Sequence, residues 1–251
     1  MEEDLINQYR IFHTLFKDEM DKSFEHKDYD IKQNNYHLLT ERGKYLSKIS
    51  SLNARLVEVK SDLNKVLVFI KRYPDAKYLK INKIDNIDYI KYHLEVLMHK
   101  THTILEIMKL TINEVYELNI SERYCSWDNL KDRKELKNAD VLRVLELYHK
   151  TFKGLIEARH LNTHRATDID PITNNMKSTL SLLRMDCEYS EMFNQETLNK
   201  FSPLLLEHEI KEYRKKRISY VESVKKGVKY YTDIFYNIVL KEANQRALQK
   251  D

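Results

Sequence analysis

The chain has 251 residues, 33% of them charged, yet its net charge is only +4, which excludes a bulk polycation and leaves nucleic-acid affinity to a local patch. Three glycines and three prolines in the whole chain disfavour glycine-rich phosphate loops and tight-turned sheets, and favour long helices with few breaks. Cys125 and Cys187, the two cysteines, form neither a disulfide framework nor a CxxC spacing. The start MEEDLINQYR has no apolar signal-peptide core. The longest apolar run, Val66 to Ile70, is far short of the ~20 residues that span a bilayer. A cytoplasmic protein with no membrane contact is the expectation.

Taken in chain order, residues 2–24 place Leu5, Tyr9, Phe12, Phe16 and Met20 on one helical face. A second helix is expected over about 31–73. Its seam, Ile49, Leu52, Leu56, Val59, Leu63, Val66 and Ile70, alternates steps of three and four and demands a partner helix, within the chain or from another. Pro74 should stop it, and DAKYLKINKI reads as a linker. Asp85 is the expected N-cap of a third helix carrying Ile87, Ile90, Leu94, Leu97, Ile104, Met108 and Val115, ending near Asn119. The polar stretch SERYCSWDNLKDRKELKN follows, a loop with short helical turns. A fourth helix runs from about Ala139 to near Arg159 on a seam of Val141, Leu145, Tyr148, Phe152 and Leu155. Asp170–Pro171 and Ser202–Pro203 read as cap-and-start pairs for a fifth helix to about Tyr189 and a sixth to near the chain end, with Gly227 a point of bending. The fold class is all-α, with long antiparallel helices: an N-terminal long-helix hairpin, 1–74, and a four-helix core, 85–251.

One step beyond Leu155 the fourth seam presents Arg159, a guanidinium where the pattern asks for an apolar residue. Burying it unpaired is expensive, so it should face a carboxylate, an anion, a wet cleft or a partner chain. It opens the run Arg159, His160, Leu161, Asn162, Thr163, His164. On one unbroken helix, Arg159 and His164 stand roughly 140° apart at 100° per residue. They converge only if the helix ends between them, as the polar 162–170 stretch suggests, or if two copies meet.

An Arg, a polar residue and a His at this spacing, between helices of an all-α chain, resembles the signature of the HEPN superfamily of helical nucleotide-binding and ribonuclease domains. Here the match is Arg159, His160 and His164, with the segments from 85 onward as the family core and 1–74 outside it. The resemblance implies a metal-independent endoribonuclease of bacterial toxin or phage-defence type. Its site would form across a homodimer, its substrate would be RNA, and an antitoxin or nucleotidyltransferase could be its partner. Arg159 and His164 would be catalytic, and His160 or Asn162 would orient the phosphate or the catalytic His; no cofactor or metal is implied. Lys215 and Lys216 are expected to contact substrate on the separate ground of the basic run they belong to. In a subset of the family a Tyr stands two positions after the motif His and is modified to silence the protein; here that position is Ala166.

Three alternatives stay open on the residues themselves: a non-catalytic helical interaction module, nucleotide sensing at the same cleft, and helix-terminal cations on the dipole. The basic run Lys211, Arg214, Lys215, Lys216, Arg217, interleaved with Tyr213 and Tyr220, reads either as a phosphate-tracking face or as a solvated helix with its tyrosines in the core.

Overall fold

A computed structural model of the chain describes residues 2–74, 77–137, 139–165 and 203–250, with the side chains of 80, 160–165 and 203–206 outside the description. The helix expected over 171–189 lies outside the described residues. Among them there is no strand, and the order is α1 (Glu2–Phe24), α2 (Glu41–Lys71), α3 (Lys77–Ile81), α4 (Asn86–Val115), α5 (Trp127–Lys131), α6 (Asp140–Arg165) and α7 (Pro203–Ala247). The fold is all-α, as expected. No described helix is long and apolar enough to cross a membrane.

The starts of the helices follow local chemistry. Asp85 Oδ1 accepts from the backbone N–H of Ile87 at 2.8 Å and Asp88 at 2.9 Å, capping α4. The second helix begins ten residues later than the periodicity suggests. Asp30 and Asn35 bond the backbone of this stretch locally: Lys32 N–H donates to Asp30 Oδ1 at 2.9 Å and Asp30 N–H to Asn35 Oδ1 at 3.1 Å. Such bonds compete with a helix. Thr40 then caps α2, its Oγ1 accepting from Gly43 N–H at 3.0 Å. At the other end of α4 the chain turns through positive φ at Glu117 and Asn119, and Leu118 N–H donates to Asn113 O at 3.0 Å. The helix therefore stops at Val115 rather than Asn119.

All seven seam residues of α2, Ile49 to Ile70, are buried within the chain. The seam serves the chain's own core, at ~1.5–3 kcal/mol per fully buried aliphatic side chain. It is not left open for a coiled-coil partner. The linker after Pro74 holds the short helix α3, and the 121–137 stretch carries short helical turns with α5, as expected.

Two compact units divide the described residues, and each draws on both sides of residue 74. The first comprises 1–60, 102–152 and 227–251; the second comprises 61–101 and 153–226. In the first, α1 and α2 run antiparallel, joined by Tyr9–Asn53 at 3.4 Å and Arg42–Glu19 at 2.6 Å. Its core holds Leu46, Ile104, Met108, Tyr148, Phe235 and Leu240. Gly227 sits inside an unbroken α7, and an added Cβ would lie 3.0 Å from Phe152 Cζ. The glycine answers a close approach and breaks no helix. In the second unit α2 and α4 run antiparallel, as Lys100–Asp62, Phe69–His93 and Tyr73–Tyr89 show. Ile70, Ile87, Ile90, Leu97 and Val221 fill its core.

Candidate functional site

Leu155 and Ile156 are buried on α6 in the second unit, and Arg159, one step on, is half-buried and engaged with a neighbouring group. The expected helix end between Arg159 and His164 is absent. The helical backbone continues through His160, Leu161, Asn162, Thr163 and His164 to Arg165. With no glycine or proline in that run, each added residue propagates an established helix cheaply, and Asn162 and Thr163 do not stop it. The positions of Arg159 and His164 therefore differ by roughly 140° around α6, while those of His160 and His164 differ by only roughly 40°. One copy does not bring Arg159 and His164 together through a helix break. The side chains of His160, Asn162 and His164 lie outside the described residues.

The basic stretch of α7 divides by burial. Lys215 and Lys216 are exposed, and Lys215 Nζ pairs with Glu212 at 2.6 Å. Tyr213 is buried, and the Arg217 guanidinium lies 4.8 Å over its ring. That ring is occupied and offers no stacking platform, so the reading with tyrosines in the core holds for Tyr213. Tyr220 is exposed.

Arg214 is a different case. It is half-buried, its Nη2 donates to Asn86 Oδ1, and its Nε is buried with no hydrogen-bond partner. Burial lowers its pKa, with the nearby Tyr73 and Tyr89 hydroxyls opposing. Tyr73 meets Tyr89 edge-on at 5.5 Å; Tyr89 meets His93 at 4.5 Å; and Phe69 stacks on His93 at 5.0 Å. Tyr92 lies 5.4 Å from His93. Burial depresses the His93 pKa, so this imidazole is a neutral member of an aromatic cluster. The sequence held a signal for it, since Phe69–Tyr73 at the end of α2 and Tyr89–His93 on α4 are both four apart, but nothing local showed that the two pairs meet.

Elsewhere the chemistry is quiet. His102 Nε2 lies 3.4 Å from Glu106 Oε1. Among the described residues no group of three or more His, Cys, Asp or Glu side chains could hold a metal. Burial pushes the Cys125 thiol up to about 11, which leaves it protonated and unreactive near neutral pH. A cleft of about 480 Å³ in the first unit is lined by Tyr36, Lys48, Ser51, Arg55, Glu114 and Glu122, a charge-balanced set holding none of the motif residues.

Against known proteins, the model of a Cthe2314-like HEPN family matches residues 49–234, well over half of the chain. The match takes in α2 from Ile49 onward, which the motif by itself left outside the family core. No curated protein and no solved structure matches.

Proposed function

The chain belongs to the HEPN superfamily, and from that premise we propose a metal-independent endoribonuclease whose active site forms between two copies. The observation that carries the reading is the Arg159, His160, His164 run on α6, inside the matched segment. The unbroken helix favours the two-copy arrangement, because a two-fold axis can set Arg159 of one copy against His164 of the other, and the reverse, where one copy's helix holds them apart.

The residue types suit cleavage by an internal nucleophile. The RNA 2′-oxygen attacks the adjacent phosphorus while His164 of one copy takes the hydroxyl proton. The bond to the 5′-oxygen breaks, and a second imidazole, His164 of the other copy or His160, returns a proton to that oxygen. The products are a 2′,3′-cyclic phosphate and a 5′-hydroxyl. An imidazole exchanges protons near neutral pH. Arg159 offers a planar fork of donors to the non-bridging oxygens as charge gathers on them. His160 and Asn162 orient the phosphate, and exposed Lys215 and Lys216 contact RNA outside the scissile group. The setting is a toxin or phage-defence system in the cytoplasm. An antitoxin is the partner to expect, since Ala166 offers no Tyr hydroxyl for silencing by a nucleotidyltransferase.

The test is cleavage of single-stranded RNA in EDTA by wild type, Arg159→Ala and His164→Ala, with sedimentation to count copies. Cleavage by the wild type, abolished in both variants, is the expected result. Equal, intact RNA with all three removes the catalytic claim. One observation favours a second reading, a non-catalytic helical module: His164 and Arg165 fall in the last turn of α6, where cations interact favourably with the helix dipole by about 0.3–1 kcal/mol. On that reading the His164→Ala effect is confined to stability.

A further inference from the structure

The aromatic cluster of the second unit holds an exposed edge that its core role does not explain. Phe69 and Tyr92 pack on His93, yet their relative exposures are 44% and 63%. Burying them more deeply would have been favourable, and a ring left open beside other rings is a stacking platform. The cluster runs through Tyr89 and Tyr73 to Arg214. Among the described residues no carboxylate pairs with Arg214, whose contacts are the neutral Asn86 amide and the two tyrosines. Its Nε, buried and without a hydrogen-bond partner, carries the desolvation cost of an unmade bond. Arg72, three and one positions from Phe69 and Tyr73, is exposed. Arg72 and Tyr73 just beyond α2, Phe69 on α2, Tyr89 and Tyr92 on α4 and Arg214 on α7 together supply the cations and rings that the phosphates and bases of a single strand call for.

We propose that the face formed by Phe69, Tyr73, Tyr89, Tyr92 and Arg214 is a landing surface for single-stranded RNA, built from residues other than the Arg159–His164 run. Bases stack on Phe69 and Tyr92, and a backbone phosphate sits against the Arg214 guanidinium. The inference rests on the ribonuclease reading for its ligand class. It makes this face the one that captures and orders the substrate strand, a role the residue pattern had suggested for the tyrosines of α7.

The experiment is fluorescence anisotropy of a labelled oligouridine with the full-length protein, over a salt series, alongside the cleavage assay. Stacking contributes enough that Phe69→Ala and Tyr92→Ala should each weaken binding about tenfold, while Tyr92→Phe, which keeps the ring, should bind as wild type does. Arg214→Gln should reduce the slope of log affinity against log salt by about 0.7, the loss of one phosphate contact. Unchanged affinity in both alanine variants, with an unchanged slope in Arg214→Gln, overturns the surface, and so does a wild type that binds no oligouridine. Wild-type cleavage with binding indifferent to these variants overturns the surface alone and leaves the catalytic reading standing. Ring-dependent binding by a protein that never cleaves supports the surface and removes the catalytic reading.

Discussion

Glu19 in the first unit and Arg214 in the second are two charges withdrawn from water, one buried and one half-buried, with different partners. In the first, Glu19 is only 1% exposed and every part of it is bonded: Arg42 Nη2 at 2.6 Å, Arg42 Nε at 3.0 Å, Lys22 Nζ at 2.8 Å and the Thr40 hydroxyl. Burial pushes the Glu19 pKa up, but these hydrogen bonds and the Arg42 charge outweigh it and hold the carboxyl at about 2. In the second unit Arg214 stands among tyrosines with one amide partner and a buried, unbonded Nε. A region that only has to hold together satisfies its charges. In the second unit no described carboxylate compensates the half-buried Arg214, and the proposed landing surface draws on that difference.

The widest break between the units is expected in activity. His164→Ala should lower single-turnover RNA cleavage by about 10²–10⁴, the usual weight of a positioned acid or base, while Glu19→Gln in the other unit should leave the rate per folded molecule unchanged.

Stability should show the reverse. Arg42→Gln breaks a buried pair and should cost about 3–5 kcal/mol in urea unfolding, whereas Arg214→Gln, which separates no ion pair among the described residues, should stay within about 1 kcal/mol. A similar cost at both sites would erase the distinction.

The pH dependence sharpens the comparison further. The folded pKa of Glu19, about 2, lies below its ordinary 4.5, so its contribution is complete above pH 4.5 and is lost as pH falls toward 2. Wild type should lose about 3 kcal/mol across that window, and Glu19→Gln should show a shallower profile in the same titration of urea midpoints.

Two smaller effects test the first unit's turn after α4. Asn113 donates from Nδ2 to Ile120 O at 2.9 Å and accepts from Ile120 N–H at 3.0 Å, all buried. Asn113→Ala strands both backbone groups and should cost about 1–3 kcal/mol. Glu117 holds φ at 53° where glycine is the usual residue. Glu117→Gly should therefore raise the melting temperature by the equivalent of about 1 kcal/mol, less the exposed Lys250 pair at 2.7 Å.

Much of this molecule is written locally. The α2 seam, the α6 seam, the Asp85 cap and the Pro203 start are each read from spacing within a few residues, and each stands as read. Where the reading slipped, a competing local or tertiary term decided. Asp30 and Asn35 side chains took the backbone bonds that a helix over 31–40 would have used. Polar residues after Arg159 suggested an end that α6 does not make. Of the candidate site, the residue types and their helix were legible; which faces meet was not.

Helical periodicity, the near-absence of glycine and proline, and the Arg159–His164 run needed no coordinates, because burial on a helix repeats every three to four residues along the chain itself. Charge compensation needed the folded chain. Glu19 meets Arg42 across a gap of 23 residues, and Arg214 meets Asn86 across 128. Such partners are chosen through space, by how helices pack, and no sequence spacing encodes which cation meets a carboxylate and which an amide.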